Sequence, residues 1–471
     1  MIKNENNTKI IAKWIEPEKE VDSAKRQRPK WVETSFEVKS INGDECLYIT
    51  SHGCYEAYIN NKRVGNFVFA PGASDYDKEL YVQKYDISNL LIEGENTIRV
   101  LLGDGWYRSA AGVTGKRNLY GTHLGLLAWI TSNEKVLLKT DEKWQAYPHE
   151  TIIFSDMCQG EAIDCNEADL SQREKVIEKD YSMDNLRFTK YPSIVEKEHF
   201  EGTIFTTPSG STVIDFGQNI AGYVQMSFYA KKGQKITLTH GETLDENGEF
   251  TIENFQPGDR HCEGGIFQKI DYVACEGLNQ YKPHFAIFGF RYCLVQTDID
   301  LTNAKFEAIA VYSDMKQLTT FTSSNEKLNK LFENSLWSMK GNFCDVPTDC
   351  PTRERAGWTG DAGIFVNTGL YLMDCQKIYE KWLSSCVVNQ YKSGAIRNIS
   401  PKNNEESFFG KMLASSAGWG DAIIIVTYNL YKRFGDKNII EKNYSSMKKW
   451  LLFLHKRAKK GFFKNLISSN P

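Results

Sequence analysis

Residues 345–361 contain a dense set of side chains that can carry out acid–base chemistry. Four carboxylates, two arginines and one tryptophan fall within seventeen positions. Two prolines and two glycines in the same stretch disfavour a continuous helix, so we predict a long loop between two helical patterns. Catalytic and binding residues concentrate on loops that a rigid scaffold holds. The segment is therefore a candidate active-site loop.

The chemistry that fits this loop best is cleavage of a glycosidic bond. That reaction needs one carboxylic acid to protonate the leaving oxygen and one carboxylate to activate water. Glu354 is the candidate acid, because negative charges on Asp349 and Asp361 favour a protonated neighbour. Arg353 and Arg355 act in the opposite direction, since a nearby cation favours the ionised form. The balance depends on side-chain directions, which the sequence leaves open.

Two tryptophans are candidates for contact with a sugar ring. Trp358 offers a flat apolar face. Trp419 lies in a second patch, Gly418-Trp419-Gly420-Asp421, just before a later helical pattern. The alternative is purely structural: an ion-pair network with Trp358 and Trp419 as core anchors, and Asp421 as a helix N-cap. Spacing alone leaves both interpretations open.

Composition narrows the class of protein and its compartment. Lys plus Arg total 57 and Asp plus Glu total 60, a net charge of −3 that gives no reason to expect nucleic acid or a membrane as partner. We find no apolar run long enough for a membrane span and no signal-type apolar segment near the N-terminus. The 11 cysteines include no C-x-x-C pair and favour free buried thiols over a metal site. We therefore predict a cytoplasmic protein.

Periodicity predicts a β-rich part followed by a helical part. Short β-branched and aromatic runs alternate with turn residues from about 31 to 144 and from about 203 to 312, as in β-sandwiches. Near Ser323 the hydrophobic period changes from 2 to 3.6. The apolar stripes predict four helices, at 328–343, 362–390, 422–434 and 440–454. The predicted domains are N-terminal β-sandwich units with a connector (1–200), a second β-sandwich (201–315) and a helical domain (316–471).

The loop resembles the signature of the bacterial α-L-rhamnosidases of glycoside hydrolase family 78. The matching run is Asp349-Cys350-Pro351-Thr352-Arg353-Glu354-Arg355-Ala356-Gly357-Trp358-Thr359-Gly360-Asp361. Further segments resemble the same family in the same order along the chain, namely 58–65, 103–107, 215–222, 284–292 and 418–422. Ordered motifs in all three predicted domains make the resemblance more specific than any single loop.

The resemblance implies both a fold and a set of residue roles. The implied fold is a multidomain β plus α chain, with N-terminal β-sandwich domains followed by the first part of an (α/α)6 six-hairpin barrel. Glu354 matches the general acid of the family, which inverts the anomeric configuration and needs no cofactor or metal. The residues that match the family's rhamnose-binding positions are Asp349, Arg353, Trp358, Asp361 and Trp419.

The chain also departs from the family pattern. In the family the general base is a glutamate in the second half of the barrel, so we expect no general base in this chain. The four predicted helices are fewer than six closed hairpins need, and we therefore expect a truncated barrel with poor hydrolysis.

The expected function is release of terminal α-L-rhamnose from rhamnosides, and the expected partners are rhamnose-containing oligosaccharides or plant glycosides. Homo-oligomer formation is left open. The alternatives are a non-catalytic carbohydrate-binding fragment and another six-hairpin glycosidase, acting on arabinosides or unsaturated uronides.

Overall fold

The computed structural model describes residues 11–19, 27–110, 115, 117–166, 173–255, 268–402 and 415–458. Within these residues, strands dominate as far as Ser313 and helices follow. The first long helix begins at Glu326, so the predicted change of period near Ser323 is confirmed. Strands and helices are numbered below in chain order.

Twelve strands of the N-terminal part form one continuous hydrogen-bonded sheet. They are β1 (Trp14–Pro17), β2 (Lys30–Val38), β3 (Cys46–His52), β4 (Cys54–Ile59), β5 (Lys62–Arg63), β6 (Leu80–Asp86), β7 (Gly94–Gly103), β8 (Gly125–Ser132), β9 (Lys135–Lys139), β10 (Gln145–Pro148), β13 (Glu174–Lys179) and β14 (Leu186–Phe188). β13 pairs with both β1 and β10 and so joins the two halves of the sheet. The halves face each other, because buried Tyr55 on β4 donates a 2.9 Å hydrogen bond to Gln83 on β6.

Ten further strands form the second sheet. They are β11 (Ile152–Asp156), β12 (Gly160–Asp164), β15 (Ile194–Glu201), β16 (Thr203–Thr206), β17 (Thr212–Ala230), β18 (Lys235–Gly241), β21 (Lys269–Val273), β22 (Gly277–Tyr281), β23 (Phe288–Thr297) and β24 (Lys305–Ser313). The β11–β12 hairpin precedes residue 200, yet β12 runs parallel to β21 and belongs to this sheet. The first 200 residues therefore contribute strands to both sheets, and a division of the chain at 200 and 315 stays a prediction.

Short elements complete the β-rich part and lead into the helices. They are β19 (Thr243–Leu244), β20 (Phe250–Thr251), β25 (Phe343–Cys344), β26 (Val346–Pro347), a one-turn helix α1 (Gly105–Arg108) and two 3-10 turns (Ser88–Leu90 and Glu253–Phe255). β25 and β26 form a small hairpin directly after the first long helix. This hairpin is the entrance to the loop that carries the candidate acid.

In the described part of the chain, five longer helices follow the strands, and two of them replace the single helix predicted over 362–390. They are α2 (Glu326–Asn342), α3 (Thr359–Leu372), α4 (Gln376–Val388), α5 (Ala422–Phe434) and α6 (Lys437–Ala458). A single helix over 362–390 is wrong, because the chain is extended at Met373 (φ −141°, ψ 155°). Met373 bridges to Gln317, and the next N–H donates to the carbonyl of Lys316 at 2.8 Å. These tertiary partners replace the helical hydrogen bonds at the break.

The end of α5 follows from its sequence. Gly435 adopts φ +71°, a left-handed conformation that glycine reaches without a Cβ clash, and its N–H bonds the carbonyl of Tyr431 at 2.8 Å. The helix predicted over 422–434 is therefore confirmed, including its end. No helix in the described part of the chain is long and apolar enough to cross a bilayer.

Candidate active site

The candidate acid lies on a loop of residues 345–358, here called the carboxylate loop, which runs from the β25–β26 hairpin to α3. Its first residue, Asp345, is 2% exposed and adopts φ +73°. The Asp345 carboxylate accepts hydrogen bonds from the N–H of Ala73 and from Nζ of Lys381, each at 2.5 Å. Gly72 allows this approach, because a Cβ there would lie 2.2 Å from the carboxylate. The first sheet and α4 thus hold the start of the loop.

The side chain of Glu354 is held by Trp358, which follows it by four residues in the loop. The indole Nε1 of Trp358 donates a 2.7 Å hydrogen bond to Oε2 of Glu354. The N–H of Glu354 donates to the sulfur of Cys350 at 3.3 Å, and the Glu354 side chain is 19% exposed. Trp358 is partly buried, and its backbone bridges to Ile399. Trp358 therefore binds the candidate acid through its edge and is more than a core anchor.

The two arginines of the loop differ in direction. Nε of Arg353 lies 3.7 Å from Oε1 of Glu354, which is too long for a hydrogen bond but close enough for electrostatic attraction. Arg355 instead turns to the carbonyl oxygens of Pro351 and Met157, at 2.9 and 2.7 Å. The sequence predicts that both arginines act on Glu354, but only Arg353 lies close to its carboxylate.

Asp349 and Asp361 are brought close to Glu354. Burial raises the pKa of Asp349 to about 6, and the charge of Glu354 acts in the same direction. Burial also raises the pKa of Asp361, with a further contribution from Glu354. Across the loop, the N–H of Asp349 donates to the carbonyl of Ala356, and the N–H of Ala356 donates to Oδ1 of Asp349, each at 3.1 Å. Three carboxyl groups separated by up to twelve positions in the sequence therefore share one electrostatic environment.

A cavity of about 270 Å³ adjoins this group. Asp349 and Asp361 are the only acidic residues among its described lining residues, and the walls are otherwise mainly apolar and aromatic. Its apolar and aromatic lining residues are Met339, Phe343, Pro347, Ala362, Ile364, Phe365 and Tyr379. The volume is close to the lower end of the roughly 300–1,000 Å³ of small-ligand clefts. Glu354, Trp358 and Trp419 are not part of this lining.

Trp419 lies against the start of α3. A Cβ on Gly360 would be 2.8 Å from the indole ring, so the ring covers the glycine directly before Asp361. Trp419 is 41% exposed and does not act as a core anchor. Asp421 makes no side-chain cap to α5 and accepts hydrogen bonds from Nε1 of Trp450 and the N–H of Gly418, at 2.8 and 3.1 Å. Gly418 to Asp421 thus form a compact turn that presents the indole.

Sequence reasoning missed the residues that hold the loop in place. Asp345 and Lys381 carry no local signal, because their pairing joins positions 36 residues apart. Gly357 has a weak signal as a glycine within the motif, and a Cβ added there would lie 2.0 Å from the carbonyl oxygen of Ser400. Only the fold brings these groups to the carboxylate loop.

Comparisons with known proteins match the chain in three consecutive parts. The model for the alpha-L-rhamnosidase N-terminal domain matches residues 43–197, and the model for the bacterial alpha-L-rhamnosidase concanavalin-like domain matches residues 205–312. The model for the bacterial alpha-L-rhamnosidase 6 hairpin glycosidase domain matches residues 316–469. These matches confirm the predicted fold class and the predicted order of its parts.

Individual relatives agree with the domain matches. An α-L-rhamnosidase of Formosa agariphila is 30% identical over 492 residues, covering 98% of this chain and 51% of that protein. The crystal structure of the native α-L-rhamnosidase from Aspergillus terreus superposes with a TM-score of 0.84 at 33% identity, covering 93% of this chain and 52% of that one. The Streptomyces avermitilis α-L-rhamnosidase complexed with L-rhamnose gives 0.83 at 27% identity, covering 92% and 42%. The chain spans about half the length of the curated relatives that it matches.

Proposed function

Because the chain belongs to the bacterial α-L-rhamnosidase family, we propose that it acts as a glycoside hydrolase on terminal α-L-rhamnose in oligosaccharides or plant glycosides. The observation that carries the proposal is the grouping of Glu354 with Asp349 and Asp361 beside a cavity of about 270 Å³. An acid, two further carboxyls and apolar walls are what a small sugar with several hydroxyls requires.

Glu354 is the proposed general acid. Its Oε2 accepts the indole N–H of Trp358, so Oε1 is the oxygen that remains to carry a proton toward the glycosidic oxygen. The proton moves to the leaving oxygen as the bond to the anomeric carbon breaks. Trp358 fixes the carboxyl plane, and Arg353 lies on the Oε1 side, where it can orient the substrate.

Asp349 and Asp361 are the proposed partners of the sugar hydroxyls. Both line the cavity, and carboxylates accept hydroxyl protons in short, strong hydrogen bonds. Trp419, exposed beside Gly360, supplies an apolar wall for a pyranose face. Hydrolysis with inversion requires a second carboxylate about 6.5–9.5 Å from the acid, with water between them. Both acidic residues in the described lining of the cavity are proposed to hold the sugar, so neither is assigned as the general base.

Glu354→Gln tests the proposal directly. In the full chain we expect release of methanol from methyl α-L-rhamnoside to fall by at least about a hundredfold, because methanol needs a proton to leave and glutamine has no acidic proton. Calorimetric titration with L-rhamnose should show that the variant still binds the sugar, since Asp349 and Asp361 are unchanged.

Three results would contradict the proposal. The acid assignment is wrong if Glu354→Gln cleaves as fast as the parent chain. Preference for an arabinoside or an unsaturated uronide over the rhamnoside would point to another six-hairpin glycosidase. Binding of L-rhamnose by the parent chain without any release would leave the non-catalytic carbohydrate-binding alternative.

A further inference from the structure

One arginine of the carboxylate loop has no role in the proposed reaction. Arg355 directly follows Glu354, but its guanidinium makes three hydrogen bonds to oxygen acceptors elsewhere. Nε donates to the carbonyl of Pro351 at 2.9 Å, Nη1 to the carbonyl of Met157 at 2.7 Å and Nη2 to Oε1 of Gln268 at 3.3 Å. Nη1 also makes a longer contact, of 3.7 Å, with the sulfur of Cys158. The planar fork thus joins the loop to two separate parts of the second sheet.

The partners of Arg355 are themselves fixed. Gln268 is fully buried, and its amide accepts from the N–H of Gly289 at 3.1 Å and donates to the carbonyl of His240 at 3.3 Å. Met157 lies in the β11–β12 turn, where the buried carboxylate of Asp156 accepts the N–H groups of residues 158 and 159 at 2.9 and 3.0 Å. The arginine is therefore attached to a rigid base and does not simply cover a mobile surface.

The backbone beside Glu354 is held in a conformation that needs support. Arg355 adopts φ +49°, which is sparsely populated by residues other than glycine, asparagine and aspartate. Such a conformation persists only where the surroundings over-determine it. The preceding turn also fits closely against β23, since a Cβ on Gly289 would lie 2.6 Å from Thr352. The three hydrogen bonds of Arg355 supply the constraint at the residue next to the acid.

We infer that Arg355 is a positioning residue, whose guanidinium fork holds the loop so that the Glu354 carboxyl meets the indole N–H of Trp358. Its role in catalysis rests on the proposed function, whereas the geometry can be measured without substrate. The effect is positional rather than electrostatic, because Arg355 contacts carbonyl and amide oxygens and not the acid. Lysine keeps the charge but has one donor atom in place of the three-nitrogen fork, so Arg355→Lys and Arg355→Gln should behave alike.

The first experiment follows the indole N–H signal of Trp358 in the full chain labelled with ¹⁵N-tryptophan, assigned with Trp358→Phe. In Arg355→Lys and Arg355→Gln we expect the signal to leave its parental position and move toward that in Glu354→Ala. The matched control is Arg291→Lys, because Arg291 forms a two-pronged pair with Asp215 on the same sheet, at 2.8 Å, away from the loop. It should leave the signal unchanged.

The outcomes of this experiment decide the inference. An unchanged Trp358 signal in both Arg355 variants overturns the inference. A parental signal in Arg355→Lys alone also overturns it, because a positive charge without the guanidinium fork would then be enough to hold the loop. Arg355 is only partly buried, so we expect both Arg355→Lys and Arg355→Gln to fold. Cys158→Ala, which removes the 3.7 Å contact between Nη1 of Arg355 and the Cys158 sulfur and leaves the oxygen acceptors of the fork in place, is the milder variant and should shift the signal in the same direction by less.

The second experiment separates positioning from general damage. A dinitrophenyl group leaves without a proton, whereas methanol needs one. Arg355→Lys should therefore lower kcat for methyl α-L-rhamnoside by about tenfold or more, and should change kcat for 2,4-dinitrophenyl α-L-rhamnoside and both KM values little. Equal losses on both substrates would contradict the inference. If the parent chain hydrolyses neither, the proposed function fails and the Trp358 signal still decides the inference.

Discussion

At the scale of single residues, the carboxylate loop gives its acids different environments. Asp349 is held in the cavity wall with a pKa of about 6, while Glu354 accepts an indole N–H on one oxygen and keeps the other free. Pairs of carboxyl groups in unlike surroundings are typical of sites that divide acid–base work. The proposed division here separates a proton donor, Glu354, from the groups that we propose to hold the sugar.

Asp349→Asn is predicted to stabilise the fold at neutral pH. The pKa of Asp349 is raised from 3.8 to about 6, so the folded chain binds this proton more tightly than the unfolded chain does. The contribution of Asp349 to the free energy of unfolding is therefore highest below about pH 4 and falls as the pH rises to about 6. Asparagine avoids that loss, and we expect a gain of about 1–3 kcal/mol at pH 7.5.

Urea denaturation at pH 4 and pH 7.5 measures this effect. The gain should disappear at pH 4, while L-rhamnose binding should weaken at pH 7.5. Asp271→Asn is the control, because Asp271 is exposed on β21 and accepts its hydrogen bond from Thr237 in a way that asparagine can reproduce. A less stable Asp349→Asn variant at pH 7.5 would contradict the prediction.

At the scale of elements, the start of α3 brings the two parts of the proposed sugar site together. Asp361 lies in its first turn, where the helix dipole favours a negative charge. Gly360 has no side chain, so the Trp419 ring can pack directly against it. The turn of residues 418–421 is held by the hydrogen bond from Trp450 on α6 to Asp421. Two helices and the turn that leads into a third thus contribute to the position of one exposed ring.

Gly360→Ala is predicted to weaken sugar binding without lowering stability. The added methyl group would lie 2.8 Å from the Trp419 ring, which must move because the contact is too close. We expect L-rhamnose affinity to fall about three- to tenfold, the loss of an aromatic contact of roughly 0.5–1.5 kcal/mol. Calorimetric titration measures the affinity, and Asn367→Ala on the exposed face of α3 is the control. Unchanged affinity in Gly360→Ala would exclude Trp419 from the binding site.

At the scale of the whole molecule, the helical part is attached to both sheets. Ser384 on α4 donates to Glu79 beside β6 at 2.8 Å, and Lys340 on α2 reaches Glu198 on β15 at 2.6 Å. The two sheets also meet directly, where His284 beside β23 lies 2.9 Å from Glu56 on β4. The carboxylate loop itself contacts Ala73 in the first β-rich part and Met157 beside the second sheet, so we expect the relative placement of the sheets to affect the acid.

The joint between the sheets is predicted to depend on pH. Burial alone would lower the pKa of His284, but the carboxylate of Glu56 and its hydrogen bond raise it above 6.5. Burial opposes ionisation of Glu56 as well, yet His284 and Arg63 hold its pKa at about 2. The histidine contribution is complete below about pH 6.5 and is lost as the pH rises through the raised pKa, while the Glu56 contribution is complete above about pH 4.5 and is lost as the pH falls toward about 2.

His284→Gln tests this joint by urea denaturation between pH 5 and 9. The variant should be less stable than the parent at pH 5–6, and the difference should shrink toward pH 9, where the parent has also lost the charge. His199→Gln is the control, because His199 forms an exposed pair with Glu307 on a sheet surface. A difference between parent and His284→Gln that is the same at every pH would show that the ion pair contributes nothing.

The helical part is also predicted to bind hydrophobic dyes and to self-associate. Ile364 on α3 is 86% exposed, and further large apolar residues on the helices are more than half exposed, namely Leu331, Tyr371, Tyr428, Tyr444 and Leu451. Exposed apolar patches of this kind promote association. Ile364→Ser should lower anilinonaphthalene sulfonate fluorescence and sedimentation-detected oligomers, with little change in the free energy of unfolding. Unchanged fluorescence and association would contradict this prediction.

The local features of this protein follow from its amino-acid sequence. The motif from Asp349 to Asp361 names the candidate acid and its companions, and the change of period near Ser323 separates strands from helices. Gly435 ends α5 because glycine adopts the left-handed backbone conformation easily, and this preference belongs to the residue itself. Such features depend on neighbours within one or two turns and can be read from the chain.

The tertiary structure alone decided how those residues are held and aimed. The break at Met373, the attachment of the β11–β12 hairpin to the second sheet, and the direction of Arg355 all depend on partners far along the chain. The same is true of Asp345, which meets Ala73 across 272 positions. Side-chain direction is set by which distant donors and acceptors the packed fold brings within hydrogen-bonding distance, and no local pattern contains that information.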